Sequence, residues 1–105
     1  MTVILANGRQ YSYDTVFETV LEREELPPTG SNGPFTSVEI NVGALVDPEL
    51  RCQLINQRGK KIVATRGDNV DTTFSDADKG PWYFNRPGQK VRNVVCDPAF
   101  VADPQ

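Results

Sequence analysis

Two cysteines constrain this chain more than any other feature. Cys52 lies in Leu50–Leu54, where Leu50, Cys52 and Leu54 alternate with Arg51 and Gln53. That period-two pattern is a strand with one apolar face. Cys96 ends the other clear β-run, Lys90–Cys96 (KVRNVVC), and the chain holds no third cysteine. The expected arrangement is a Cys52–Cys96 disulfide stapling the two strands. In the chain-entropy view such a staple contributes about 4 kcal/mol, and it favours an oxidising compartment. Two buried free thiols packed as small hydrophobes are the alternative.

The stretch around Cys52 reads as a β-hairpin. The Leu50–Leu54 alternation is one strand, Asn56-Gln57-Arg58-Gly59 the turn, and Lys60–Thr65 the return, with Gly59 where φ > 0 is wanted. Upstream, Thr2–Ala6 is a short strand, Asn7-Gly8 a hairpin signal and Arg9–Tyr13 the return strand. Asp14–Leu26 is predicted to hold a short amphipathic helix. Val16, Phe17, Val20 and Leu21 recur at helical spacing behind an Asp14 N-cap, although Glu22, Glu24 and Glu25 stand at the wrong end for the helix dipole. Pro27–Pro34 (PPTGSNGP) breaks regular structure.

Val38, Ile40 and Val42 mark a strand in Phe35–Val42, and Gly43–Glu49 turns into the central hairpin. Val70–Phe74 is one short strand within an acidic loop. Trp82-Tyr83-Phe84 is an aromatic strand with Trp82 and Phe84 inward and Tyr83 outward. Asp97–Gln105 is a tail or edge segment. Short strands with turn signals between them predict an all-β or β-dominated antiparallel sandwich or small barrel, with one short helix near residues 14–26. At 105 residues it is a single domain.

What is missing narrows the function. The chain has no histidine, which removes the Ser-His-Asp and Cys-His arrangements and most zinc sites. No Gly-rich phosphate loop follows a strand. The expectation is a protein that is not an enzyme and has no catalytic residue. Net charge is −3, and the densest basic group is Arg58, Lys60 and Lys61 at a turn, so nucleic acid is not expected as a partner. No apolar run approaches the ~20 residues of a membrane span. Met1 leads straight into a strand-like run with no signal-peptide pattern. That suits a cytosolic protein, or a mature secreted domain given a start codon for expression.

Three stretches carry candidate binding chemistry. Arg66-Gly67-Asp68, just past a strand end, resembles the integrin-recognition tripeptide of adhesion proteins. The alternative is an ordinary turn with Arg66 and Asp68 in water. Asp68-Asn69-Val70-Asp71-Thr72-Thr73 resembles the calcium-binding stretch of βγ-crystallin domains, and Asp76-Ala77-Asp78 has the opening of an EF-hand loop without its closing glutamate. The resemblance implies calcium on Asp68, Asn69 and Asp71; Asp76 and Asp78 add oxygen ligands. The default is a hydrated acidic loop and no cofactor. If one face of the aromatic strand were exposed, Trp82 and Tyr83 beside Asn85 and Arg86 would form a docking or sugar-stacking surface.

From Phe35 to Cys96 the pattern resembles small secreted proteins of filamentous fungi, effector-like and built as disulfide-tied β-sandwiches. The elements that carry it are the Phe35–Val42 strand, the Cys52 hairpin, the acidic loop, the aromatic strand and the run ending in Cys96. The resemblance implies secretion, no cofactor and action on a host or cell-surface protein or glycan; a monomer is expected. The loops expected to do this are Pro27–Pro34 and Arg66–Gly80. Two other readings stand beside it. One is a protease inhibitor presenting residues 26–34. The other is a cytosolic or phage accessory domain with free thiols.

Overall fold

The computed structural model describes residues 1–43 and 47–102. Residues 44–46, inside the turn expected at Gly43–Glu49, and 103–105, at the end of the expected tail, lie outside the described residues. Among the described residues the fold is all-β. The strands are β1 (Thr2–Asn7), β2 (Tyr11–Val16), β3 (Glu24–Leu26), β4 (Ser37–Asn41), β5 (Arg51–Asn56), β6 (Ala64–Arg66), β7 (Asn69–Asp71), β8 (Thr73–Ser75), β9 (Trp82–Phe84) and β10 (Val91–Asp97). They form a six-stranded sheet, β2-β1-β4-β9-β6-β7, and a four-stranded sheet, β3-β10-β5-β8. Every pairing is antiparallel.

The core follows from strand alternation. Val3 and Leu5 of β1, Val38 and Ile40 of β4, and Trp82 and Phe84 of β9 are buried on the inner face of the larger sheet. Cys52, Leu54, Phe74, Val94 and Cys96 meet them from the smaller sheet. Cys52 and Cys96 are directly opposite in the β5–β10 register, with Cα atoms 4.1 Å apart, and are joined as a disulfide. No described cysteine is free, so the free-thiol alternative loses its thiols.

The helix expected over Asp14–Leu26 is absent. The β-branched pair Thr15-Val16 extends β2, and the Phe17 N–H donates to the Met1 carbonyl at 2.9 Å. A helical stripe would bury all four apolar residues. Phe17 and Val20 are buried, but Val16 and Leu21 are 61% and 86% exposed. Glu24–Leu26 instead forms edge strand β3 on β10, where a glutamate points to water and no dipole opposes it.

The central hairpin is shorter than expected. The turn is as read, with Gly59 at φ 77° and the Asn56 side-chain oxygen accepting from the Arg58 and Lys60 N–H groups. The return strand pairs only through Ile55–Lys61 and an Ile62 N–H to Leu54 carbonyl bond. Ile62 then drops into the core and the chain crosses to the other sheet as β6. Val70–Phe74, expected as one strand, is two: β7 and β8 belong to different sheets, and Thr72 is the crossover.

The Pro27–Pro34 connection is tied down. Its Thr29 N–H donates to Thr15 Oγ1, and its Asn32 carbonyl accepts from the Val91 N–H. Gly30 has φ +84°, and a Cβ there would fall on the Tyr13 ring. Gly30→Ala is therefore expected to destabilise the fold by about 1–3 kcal/mol, read from urea unfolding. A value near zero would show that the loop repacks freely around Tyr13.

Candidate functional site

The alternation of β5 places Arg51 and Gln53 on the face opposite Cys52 and Leu54. Their register partners on β8 are Ser75 and Thr73. This face is buried too: Arg51, Gln53, Thr73 and Ser75 are each less than a tenth exposed. Arg51 therefore needs acceptors, and it lies along β8 to find them. Its Nε donates to Thr73 Oγ1 (2.9 Å), Nη1 to Ser75 Oγ (3.2 Å), and Nη2 to the Thr73 carbonyl (2.6 Å). Nη2 also pairs with Asp71 Oδ2 at 3.3 Å, both side chains being over 90% buried, 8% and 5% exposed. Asp71 Oδ1 accepts from the Thr72 and Thr73 N–H groups, bracing the crossover between sheets as an Asx turn does.

Arg66 approaches the same place from the other sheet. It ends β6, and Gly67-Asp68 forms the tight turn into β7, with Gly67 at φ 63°. The Arg66 side chain turns inward. Its Nη1 donates to the carbonyls of Ser75 (2.8 Å), Asp76 (3.0 Å) and Gly80 (3.0 Å). Its guanidinium lies 4.5 Å from the centre of the Trp82 ring, a close cation–π contact. Trp82 is itself fixed by an indole N–H to Ser75 carbonyl bond of 3.1 Å.

Arg66 differs from Arg51 in one respect. Among the described residues it has no ion-pair partner, and its Nε–H is buried without an acceptor. Its pKa is lowered from the ordinary arginine value, first by burial and then by the charge of Arg51, with Asp76 opposing. A cavity of ≈ 580 Å³ opens here. Buried Arg51, Asp71 and Trp82 line it together with Arg66, and solvent-exposed Glu49, Asp68 and Lys79 also border it.

The residues singled out in the sequence are distributed as follows. Gly67 and Asp68 are exposed in the turn, but the Arg66 of the tripeptide is held by three carbonyls rather than offered to water. The calcium ligand set does not assemble. Among the described residues no group of three His, Cys, Asp or Glu side chains converges. Asp71 is committed to Arg51, and the Asp76 carboxylate accepts the Val42 and Asp78 N–H groups, each at 3.0 Å. Asp68, Asn69 and Asp78 lie exposed on turns or strand ends.

Trp82 is buried and Tyr83, on the outer face, is 61% exposed, so they do not share one surface. Arg86 is exposed in the turn after β9. Because Tyr83 is so open, Tyr83→Ala is expected to change stability by no more than about 0.5 kcal/mol. A larger loss in a thermal melt would show that the ring supports the sheet.

The residue missed in the sequence is Arg51. Strand alternation places it on a wet face, and only the matching Thr73 and Ser75 hydroxyls, two positions apart on β8, hint at a buried polar layer. No protein-family model, no curated protein and no solved structure matches this chain.

Proposed function

We propose that this is a small secreted, non-catalytic binding protein, effector-like in build, that engages a host or cell-surface protein or glycan. Its contact region is the end of the sandwich around Arg66, where Gly67–Asn69 and Asp76–Gly80 border the cavity. The observation that carries this reading is the half-buried Arg66 guanidinium, held by three carbonyls at a cavity and, among the described residues, without an ion-pair partner. Burying a charge without a partner is costly, and a fold keeps such a group most readily where a ligand completes it. The Cys52–Cys96 disulfide suits an oxidising compartment. Among the described residues no helix is long and apolar enough to cross a membrane. The chain's acidic charge gives no footing to nucleic acid.

The test is binding of labelled, oxidised protein to a panel of intact plant, animal and fungal cells and to immobilised glycans. Saturable binding is expected. Charge reversal at the cavity mouth, Asp68→Lys or Lys79→Glu, should weaken it by about tenfold, the scale of one charged contact. Arg58→Glu, in a different turn, should leave it unchanged. Absence of binding across the panel, or equal effects of all three substitutions, would contradict the proposal.

A further inference from the structure

We propose that the free edge of β2 is a second binding surface, which accepts an extended segment of another polypeptide as an added antiparallel strand with a lysine or arginine opposite Asp14. The surface lies apart from the end described above. β2 and β7 are the two edges of the larger sheet, and Arg66 ends β6, next to β7.

The ladder fixes which main-chain groups face outward. Met1 and Phe17 exchange two hydrogen bonds, each 2.9 Å. In an antiparallel pair such two-bond positions alternate with positions whose N–H and C=O point away from the partner. The β1–β2 register therefore turns Tyr11, Tyr13 and Thr15 toward β1, and Ser12, Asp14 and Val16 away from it. No strand lies on that side of β2. Among the described residues no main-chain group outside the ladder bonds to these three residues, and all three are exposed. The Pro27–Pro34 connection meets β2 on its inner side, at Thr15 Oγ1 and beside the Tyr13 ring.

The other edges are plugged or short. On β8 the Thr73 carbonyl is taken by Arg51, and the Ser75 carbonyl by Arg66 and the Trp82 indole. β3 and β7 have three residues each, against six in β2. Sheets normally blunt a long exposed edge. An edge left open matches strand addition, in which main-chain hydrogen bonds supply affinity and alternate side chains supply specificity.

Charge and space choose the occupant. On the outer face Asp14 stands opposite Ile4, and Glu39 flanks Ile4 from the other side. Neither carboxylate has an ion-pair partner among the described residues. A cation opposite Asp14 supplies one, whereas a like charge there is unfavourable. An apolar residue suits the place beside exposed Val16. On the inner side the connection already packs beside Tyr13 and Thr15, so small residues fit there. A second copy of this chain fits less well. Two β2 strands paired over Ser12–Val16 through their outward groups would set the two Asp14 carboxylates directly opposite each other.

The test uses a disulfide-cyclised β-hairpin peptide whose outer strand reads Val-Ser-Lys-Ser-Thr, antiparallel to β2 with its lysine opposite Asp14. A second hairpin carries glutamate for that lysine. Two more carry an N-methyl group, one on the lysine nitrogen and one on an outward nitrogen of the far strand. The readouts are NMR shifts and hydrogen-exchange protection of the Ser12, Asp14 and Val16 amides.

The lysine hairpin is expected to shift and protect these amides saturably and to bind about fivefold tighter than the glutamate hairpin. N-methylation of the lysine should weaken binding about tenfold, the scale of a lost hydrogen bond; N-methylation of the far strand should not. Asp14→Lys, at an exposed position, should reverse the lysine-over-glutamate preference. Asp68→Lys, at the Arg66 end, should leave hairpin binding unchanged. Equal binding of the lysine and glutamate hairpins, no effect of the lysine N-methyl group, or shifts that fall on β3 or β7 instead would each overturn the proposal. Self-association of the protein without peptide, with the same three amides already protected, would also overturn it by making a second copy the occupant. Failure of the cell-binding panel bears on the Arg66 end alone and leaves this test standing.

Discussion

Arg51→Ala is expected to destabilise the fold by about 3–5 kcal/mol, the range for removing one partner of a buried ion pair. The substitution strands several groups at once. Asp71 loses its ion pair at 3.3 Å, the Thr73 carbonyl its 2.6 Å donor, and the Ser75 and Thr73 hydroxyls one contact each. Each buried polar group left unpaired costs about 1–3 kcal/mol. Asp71 keeps the Thr72 and Thr73 N–H groups, which moderates the loss.

Urea unfolding of Arg51→Ala, Asp71→Asn and the double variant checks it. The account predicts that the double variant costs clearly less than the two single losses added together, because the two residues act on one another. Single losses below about 1 kcal/mol would show that water reaches this layer and that it is an exposed face.

Replacing both cysteines by alanine is the second large effect, about 4 kcal/mol. The estimate comes from the 44-residue separation of Cys52 and Cys96 in the chain-entropy model. For a domain of this size that corresponds to a fall in Tm of roughly 20 °C. Alanine is chosen because both positions are fully buried beside Phe74, where a serine hydroxyl would add an unmet polar group. The loss should therefore combine the freed unfolded chain with a small packing deficit. The double-alanine protein melting within a few degrees of the native one would mean the bridge adds nothing to a fold already complete without it.

The sequence and the structure agree where a residue's partner is close along the chain or where alternation is clean. Val38 and Ile40, Trp82 and Phe84, and the Gly59 turn all fall where they were expected, whereas the first hairpin keeps Asn7 in β1, turns over Gly8–Gln10 and returns as Tyr11–Val16 instead of Arg9–Tyr13. The cysteine pairing was legible for a different reason: with two cysteines in two β-runs there is one way to join them.

Asp14–Leu26 failed because its apolar spacing fits a helix while its neighbours decide otherwise. Phe17 continues a ladder begun by Met1, and Glu24–Leu26 is recruited by β10. Both contacts are long-range, and local propensity carries no trace of them. The role of Asp71 in the acidic stretch after Arg66 was hidden for a similar reason. Whether Asp71 faces an ion or an arginine depends on where β5 lies, 20 residues earlier in the chain. Arg66 itself was noticed only as part of a tripeptide. Its actual setting over Trp82 comes from residues 75–82 folding back across it.

The Cys52–Cys96 bridge underlies both the fold and the secreted reading, and intact-mass measurement tests it most directly. Protein from an oxidising expression host is denatured and alkylated without reductant, with a reduced sample alongside. The account predicts that neither cysteine is alkylated until reductant is added, and that both are alkylated afterwards. Alkylation of both cysteines in the unreduced sample would contradict it, and would take with it the case for an oxidising compartment.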